Sequence, residues 1–310
     1  MPLLEALRAL TAFDPPDALP PCDTAELAEV LDAHGLAPLA SWQLETRRIG
    51  MSAPPWLRER LLPIYQGVVN DNVFRLVTLK GALKGVTVPV VLLDGAAYVD
   101  WLYPHLAFRP LGDLRLAVRG DEGARFAAEL GAAGFQLVES GPGGHTAVFD
   151  DGRLPLRIQE GLVAGHAEDH GLYDRRQAHP ALGPTAARPA AEDALLVTVA
   201  GLAEQGLHGP LLSWIDVREL LLVPELGEPA RVEAVKRRAA EVGLSRALYG
   251  ACALAPHFFP AVAERAAALA PSLGRAERAA VDAVVDSAKD PAQLRLTRGV
   301  EAAGRAVVAP

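Results

Sequence analysis

Residues 88–93, VPVVLL, are a short unbroken apolar run rich in β-branched side chains. That is the pattern of a strand buried on both faces. The run stops at Asp94-Gly95, a turn pair, and enters AAYVDWLYP (96–104), which the sequence predicts as a short helix closed by Pro104. DLRLAV (113–118) alternates as a strand should, and Glu122 to Ala133 carries a helical pattern that stops at Gly134. FQLVE (135–139), HTAVFD (145–150) and LPLRIQE (154–160) come next as three short strands, separated by SGPGG (140–144) and DGR (151–153). The order strand, helix, strand, helix, then three strands predicts a small mixed sheet with a terminal meander.

On either side of this core the period is helical. Asp23 with Glu26 three positions on has the form of a capping box, and Leu27, Val30 and Leu31 come after it at helical spacing. The four prolines between Asp14 and Pro21 mark an extended connection. Leu57, Leu61, Ile64, Val68, Val73, Leu76, Leu79 and Leu83 give a long helical run, in which Pro63 is expected to kink the helix or mark its start. Residues 178–190, AHPALGPTAARPA, read as a linker, and alanine-rich helical patterns without a fixed repeat period occupy the chain beyond it. The fold class expected is α+β. A helical segment at 1–80 and an all-helical domain at 190–310 flank a sheet-bearing core at 81–177.

With 310 residues, 50% hydrophobic and 22% charged, the composition is that of a globular protein of about two domains. A formal net charge of −8 opposes a broad nucleic-acid-binding surface. Two cysteines, Cys22 and Cys252, are too few for a disulfide framework or a four-cysteine zinc site. The N-terminal stretch lacks the pattern of a signal peptide, and no apolar run reaches the roughly 18 residues of a membrane span. The expectation is a cytoplasmic protein with neither nucleic acid nor membrane as partner; its oligomeric state stays open.

The stretch from Leu92 to Ala97 carries the first chemical signal. A glycine between a buried strand and a helix lets a ligand approach, and Asp113 opens the next strand beside it. The plain alternative is a turn and a surface carboxylate. In order, VVLLDGAAYVDWLYP (90–104), FRPLGDLRLAV (108–118), LPLRIQEGL (154–162) and ALLVTVAGLAEQGLHGPLLSWIDVRELL (194–221) resemble the bacterial uncharacterised nucleotidyltransferase family of the DNA polymerase β-like nucleotidyltransferase superfamily. The resemblance implies a nucleotidyltransferase-like sheet. In that superfamily an Asp-x-Asp pair and a third carboxylate on a neighbouring strand hold two Mg²⁺ ions that bridge a triphosphate.

This chain departs from that pattern at the metal positions. Asp113 is kept, Arg115 takes the second carboxylate position and Arg157 the third. Asp94 stands where the family has a lysine, Gln159 where it has a histidine, and Gly201 and Gln205 near its helical histidines. No metal and no cofactor are therefore expected; Mg²⁺ belongs only to the reading as an ordinary nucleotidyltransferase, completed by a carboxylate such as Glu160. One reading of the remaining residues is a site for an anionic group, with Arg109, Arg115 and Arg157 as the cations and Gly95, Tyr98 and Gln159 beside them. Asp94 or Asp113 would then act as acid or base. The other reading is an internal ion-pair cluster that replaces the metal. Three functions are compatible with these residues: an enzyme repurposed for a small molecule or peptide in bacterial biosynthesis, a non-catalytic binding protein, and an ordinary metal-dependent nucleotidyltransferase.

Weaker signals read as structural. His166 and His170 have a metal-ligand spacing inside a glycine-flanked polar loop, Lys80 lies within a helical run, and SGPGG joins two strands as a hairpin turn. Trp214 and Asp216 match the family's C-terminal segment, with Trp214 expected in the core.

Overall fold

The computed structural model describes residues 2–140, 146–163, 170–291 and 298–310. Its first elements are helices α1 (Pro2–Thr11), α2 (Thr24–Ala33), α3 (Ala37–Thr46) and α4 (Pro55–Leu83). Strand β1 (Val90–Leu93), α5 (Gly95–Tyr98), β2 (Leu114–Ala117) and α6 (Gly123–Ala132) follow. Then come β3 (Gln136–Ser140), β4 (Thr146–Asp150), β5 (Leu156–Gln159), α7 (His170–Arg175), β6 (Gln177–Ala178) and β7 (Ala186–Arg188). Helices α8 (Ala191–Glu204), α9 (Leu211–Leu222), α10 (Pro229–Glu241), α11 (Ser245–Phe258), α12 (Ala263–Leu269), α13 (Arg275–Ser287) and α14 (Arg298–Val308) complete the chain. The fold is α+β. Among the described residues no helix is long and apolar enough to cross a membrane.

Two compact units emerge. One comprises residues 71–102 and 111–197; the other comprises 1–70, 103–110 and 198–310. The first holds the sheet, in the order β3-β4-β5-β2-β1-β7-β6. β1 is antiparallel to β2 and parallel to β7, β2 is parallel to β5, and β3, β4 and β5 form an antiparallel meander. All four β1 residues are buried, as a central strand covered on both faces requires. The 141–145 connection lies outside the described residues, and the strands it joins pair as a hairpin.

The 178–190 stretch is not a free linker. Ala186 and Ala187 pair in parallel with Val90 and Val91, so β7 lies beside the central strand. Alanine and proline have low strand propensity, which hides this strand from a local reading. Pro63 does not mark the helix start. Helix α4 begins at Pro55, and Pro63 lies within it on an exposed position.

Glu129 of α6 anchors the chain as it enters β1. Its carboxylate accepts from Thr87 Oγ1 (2.5 Å), Thr87 N (2.8 Å) and Val88 N (3.2 Å), and from Arg125 Nε at 3.2 Å. The Thr87 side-chain bond, followed by the backbone bonds, lowers its pKa from 4.5 to about 2. A carboxylate whose folded pKa is depressed contributes stability above its unfolded pKa and loses it as pH falls through the folded one. Urea unfolding between pH 6 and about pH 2 should therefore show an acid-limb loss that Glu129→Gln reduces; identical pH profiles would exclude this anchor as its source.

The helical unit joins the N-terminal helices to the C-terminal ones. Arg8 Nε donates to the Phe258 carbonyl at 2.6 Å. His34 is buried; its Nδ1 accepts from Leu211 N at 3.1 Å, so Nε2 carries the proton and donates to the Pro291 carbonyl at 3.0 Å. Asp23 caps α2, accepting from Ala25 N and Glu26 N. Trp214 is fully buried and packs on Phe258, with ring centroids 5.5 Å apart.

Candidate functional site

Strand register decides which side chains meet. Arg115 on β2 and Arg157 on β5 are direct partners in a parallel pair, and Ala117 faces Gln159. Directly opposed residues project from the same face of a sheet. Asp113 precedes β2 by one residue and shares the Arg115 face by alternation.

Each arginine has a carboxylate. Arg115 Nη1 donates to Asp94 Oδ2 at 2.9 Å, and Arg115 Nη2 to Gln159 Oε1 at 2.8 Å. Gln159 is buried, and its amide nitrogen donates to the carbonyls of Gly161 (2.6 Å) and Leu162 (3.2 Å). Those bonds fix which way the amide points, so its oxygen is presented to Arg115. Arg157 Nε donates to Asp113 Oδ2 at 2.6 Å, in a pair whose side chains are both 47% exposed. Asp94, Arg115, Arg157 and Asp113 thus form a ladder of two ion pairs with the arginines adjacent at its centre, firmer at the Arg115 end and open at the Arg157 end.

Asp94 holds an unusual backbone, φ 55° and ψ −141°. That region is strained for a residue with a Cβ, at a cost of about 1–3 kcal/mol. The sharp turn aims its carboxylate back toward β2, where Arg115 binds it.

Arg75 was not signalled by the sequence. It lies on α4 and its Nη1 donates to the Gly112 carbonyl at 3.2 Å, next to Asp113. No local pattern marks it, because only the fold brings α4 to the start of β2. With it, three arginines and two carboxylates lie near the starts of β2 and β5 and the end of β1.

Other expected site residues lie elsewhere. Gly95 is buried as the first residue of α5. Tyr98 is fully buried and donates its hydroxyl to the Ala194 carbonyl at 3.0 Å, so it is a core residue away from solvent. Arg109 belongs to the helical unit, where its Nη2 donates to Asp216 Oδ2 at 2.8 Å and Tyr103 donates its hydroxyl to Asp216 Oδ1 at 2.5 Å. Burial, then the Asp216 charge, pushes the Tyr103 hydroxyl well above its ordinary pKa. Glu160 lies just past β5, beside Arg119 and Gly120. Lys80 is an exposed residue of α4. His166 lies outside the described residues, so the His166/His170 spacing does too.

Among the described residues no group of three or more His, Cys, Asp or Glu side chains is placed to hold a metal ion. No curated protein and no solved structure matches the chain at a significant level. A family model does match: described as uncharacterised nucleotidyltransferase, it covers residues 20–260, and the chain belongs to that family.

Proposed function

We propose that this nucleotidyltransferase-family domain has exchanged its two-metal centre for the arginine–carboxylate ladder, and that it binds an anionic small molecule or peptide there without a metal. The observation that carries the reading is the register pairing of Arg115 with Arg157, each held by a carboxylate. Mg²⁺ requires several hard oxygen ligands in near-octahedral order. Asp94 and Asp113 supply carboxylate oxygens, but each is hydrogen-bonded to a guanidinium. That donor set does not fit a pair of Mg²⁺ ions.

The same geometry favours an anion. An exposed ion pair such as Asp113–Arg157 is worth roughly 0–1 kcal/mol. A ligand carboxylate or phosphate can therefore take Asp113's place on Arg157 at little cost, and the planar guanidinium suits bidentate capture. Arg75 supplies additional positive charge in a chain of net charge −8. Binding is favoured over catalysis because both candidate acid–base groups are engaged by arginines. The repurposed enzyme, the first function the sequence favours, becomes the second reading here, supported by the strained Asp94 backbone, since strain of this kind concentrates at working sites. A bacterial biosynthetic setting in the cytoplasm belongs to the same proposal.

Two measurements test it. Incubation with labelled nucleoside triphosphates and Mg²⁺ or Mn²⁺ should release no pyrophosphate; metal-dependent turnover abolished by Asp113→Ala would overturn the reading. Calorimetric titration with inorganic phosphate should show metal-independent binding that Arg157→Ala weakens by about tenfold or more, the value of a charge-assisted hydrogen bond.

A further inference from the structure

The ladder occupies one face of the sheet; the other face carries a separate cleft. Alternation places Ile158 and Glu160 opposite in sense to Arg157 and Gln159. Phe149 pairs with both Leu156 and Leu137, so it shares the Ile158 face. There, between α6 and the strands, lies a cleft of about 310 Å³, whose apolar wall includes Phe126, Ala127, Leu137, Phe149 and Ile158. This volume is at the small end of the range for small-molecule sites.

Arg119 and Glu160 also line this cleft. Tyr173 fixes both: its hydroxyl donates to the Glu160 carbonyl at 2.5 Å, and the Arg119 guanidinium lies 5.3 Å from its ring centroid. Arg119 gives its Nη2 to Asp174 Oδ1 at 3.0 Å, and a guanidinium has five N–H donors. A carboxylate accepts several hydrogen bonds at once, so Glu160 can receive a further donor. Gly120 lies close beside it: a Cβ there would stand 3.1 Å from Glu160 Oε2 and would displace the carboxylate by a few tenths of an ångström.

An apolar cavity with one cation and one anion in its wall is complementary to a molecule with an apolar body and two opposite charges. We propose that this cleft binds a small amphipathic zwitterion, an apolar amino acid or a peptide of about dipeptide size. The ligand carboxylate meets Arg119, its ammonium meets Glu160, and its side chain lies against Phe126 and Phe149. Gln159 borders both this cleft and the ladder, but Arg119 and Glu160 take no part in the ladder.

Calorimetry with three probes tests the proposal: L-phenylalanine, 3-phenylpropionate, which lacks the ammonium, and phenethylamine, which lacks the carboxylate. L-Phenylalanine should bind saturably and more tightly than either single-charge analogue. Glu160→Gln should weaken L-phenylalanine and phenethylamine by about tenfold or more and leave 3-phenylpropionate unchanged. Ala127→Phe fills the cleft and should abolish binding of all three while the circular dichroism spectrum stays native. The titrations are made on the Arg157→Ala background, which removes the ladder's anion subsite, and the same pattern is expected there. Absence of saturable L-phenylalanine binding, equal binding of a single-charge analogue, or L-phenylalanine binding that survives both Glu160→Gln and Ala127→Phe overturns the proposal.

Discussion

Replacing Arg115 and Arg157 together by aspartate is expected to give a protein whose folding depends on divalent cations. In the wild type Asp94 and Asp113 each face a guanidinium, at 2.9 and 2.6 Å. The double variant sets four carboxylates around the same register pair. Two like charges about 4 Å apart repel by roughly 4 kcal/mol at an effective dielectric of 20, so the thermal midpoint should fall steeply at low salt. Mg²⁺ binds only the folded arrangement and should restore it. At a hundred times the dissociation constant, linkage returns about 2.7 kcal/mol. Thermal scans with and without Mg²⁺ decide the matter: rescue of the variant, with an unresponsive wild type, is the expected result. A variant whose midpoint ignores Mg²⁺ would show that the four side chains do not converge.

Asp216→Ala should destabilise the helical unit severely. Asp216 is 1% exposed and accepts hydrogen bonds from Tyr103 and Arg109. The substitution leaves the largely buried Arg109 guanidinium without this partner. Breaking a buried ion pair from one side costs about 3–5 kcal/mol. Asp216→Asn keeps an acceptor for Tyr103 and should cost less. Denaturant midpoints of the two variants and of Arg109→Ala, combined in a double-mutant cycle, give the coupling energy. A loss below about 1 kcal/mol for Asp216→Ala would refute the assignment. Tyr103 offers a second readout: without Asp216 its hydroxyl loses a cause of its raised pKa, so its ultraviolet titration should move toward neutral pH.

How much of this was legible depended on where each signal lies. The strands from Val90 to Gln159 announce themselves through β-branched apolar runs cut by Gly and Asp turns. The helix at 211–222 and the Asp23 cap are equally local. β7 is different: it is a strand by virtue of the slot beside β1, and its Ala-Ala-Arg sequence shows no such preference. Arg115 and Arg157 were legible as neighbours because they occupy corresponding positions on strands that the family layout pairs. Arg75 and the Arg109–Asp216 pair were not, since their partners are set by tertiary packing at long range. Tyr98 misled because an aromatic residue just after a ligand-type turn reads as a contact, whereas burial had recruited it to the core.

The division of the chain has a consequence for its synthesis. The sheet-bearing unit ends at Val197, but the helical unit needs residues from both sides of it. His34 reaches its acceptor only when Pro291 has been made. At about 5–20 residues per second, the 94 residues from Val197 to Pro291 take roughly 5–19 s. Through that interval Arg8 and His34 lack the Phe258 and Pro291 carbonyls they bind in the folded chain, while the sheet unit already has its full sequence. During synthesis α1 and α2 therefore wait for residues 258–291 before Arg8 and His34 can reach the carbonyls that tie them to the later helices.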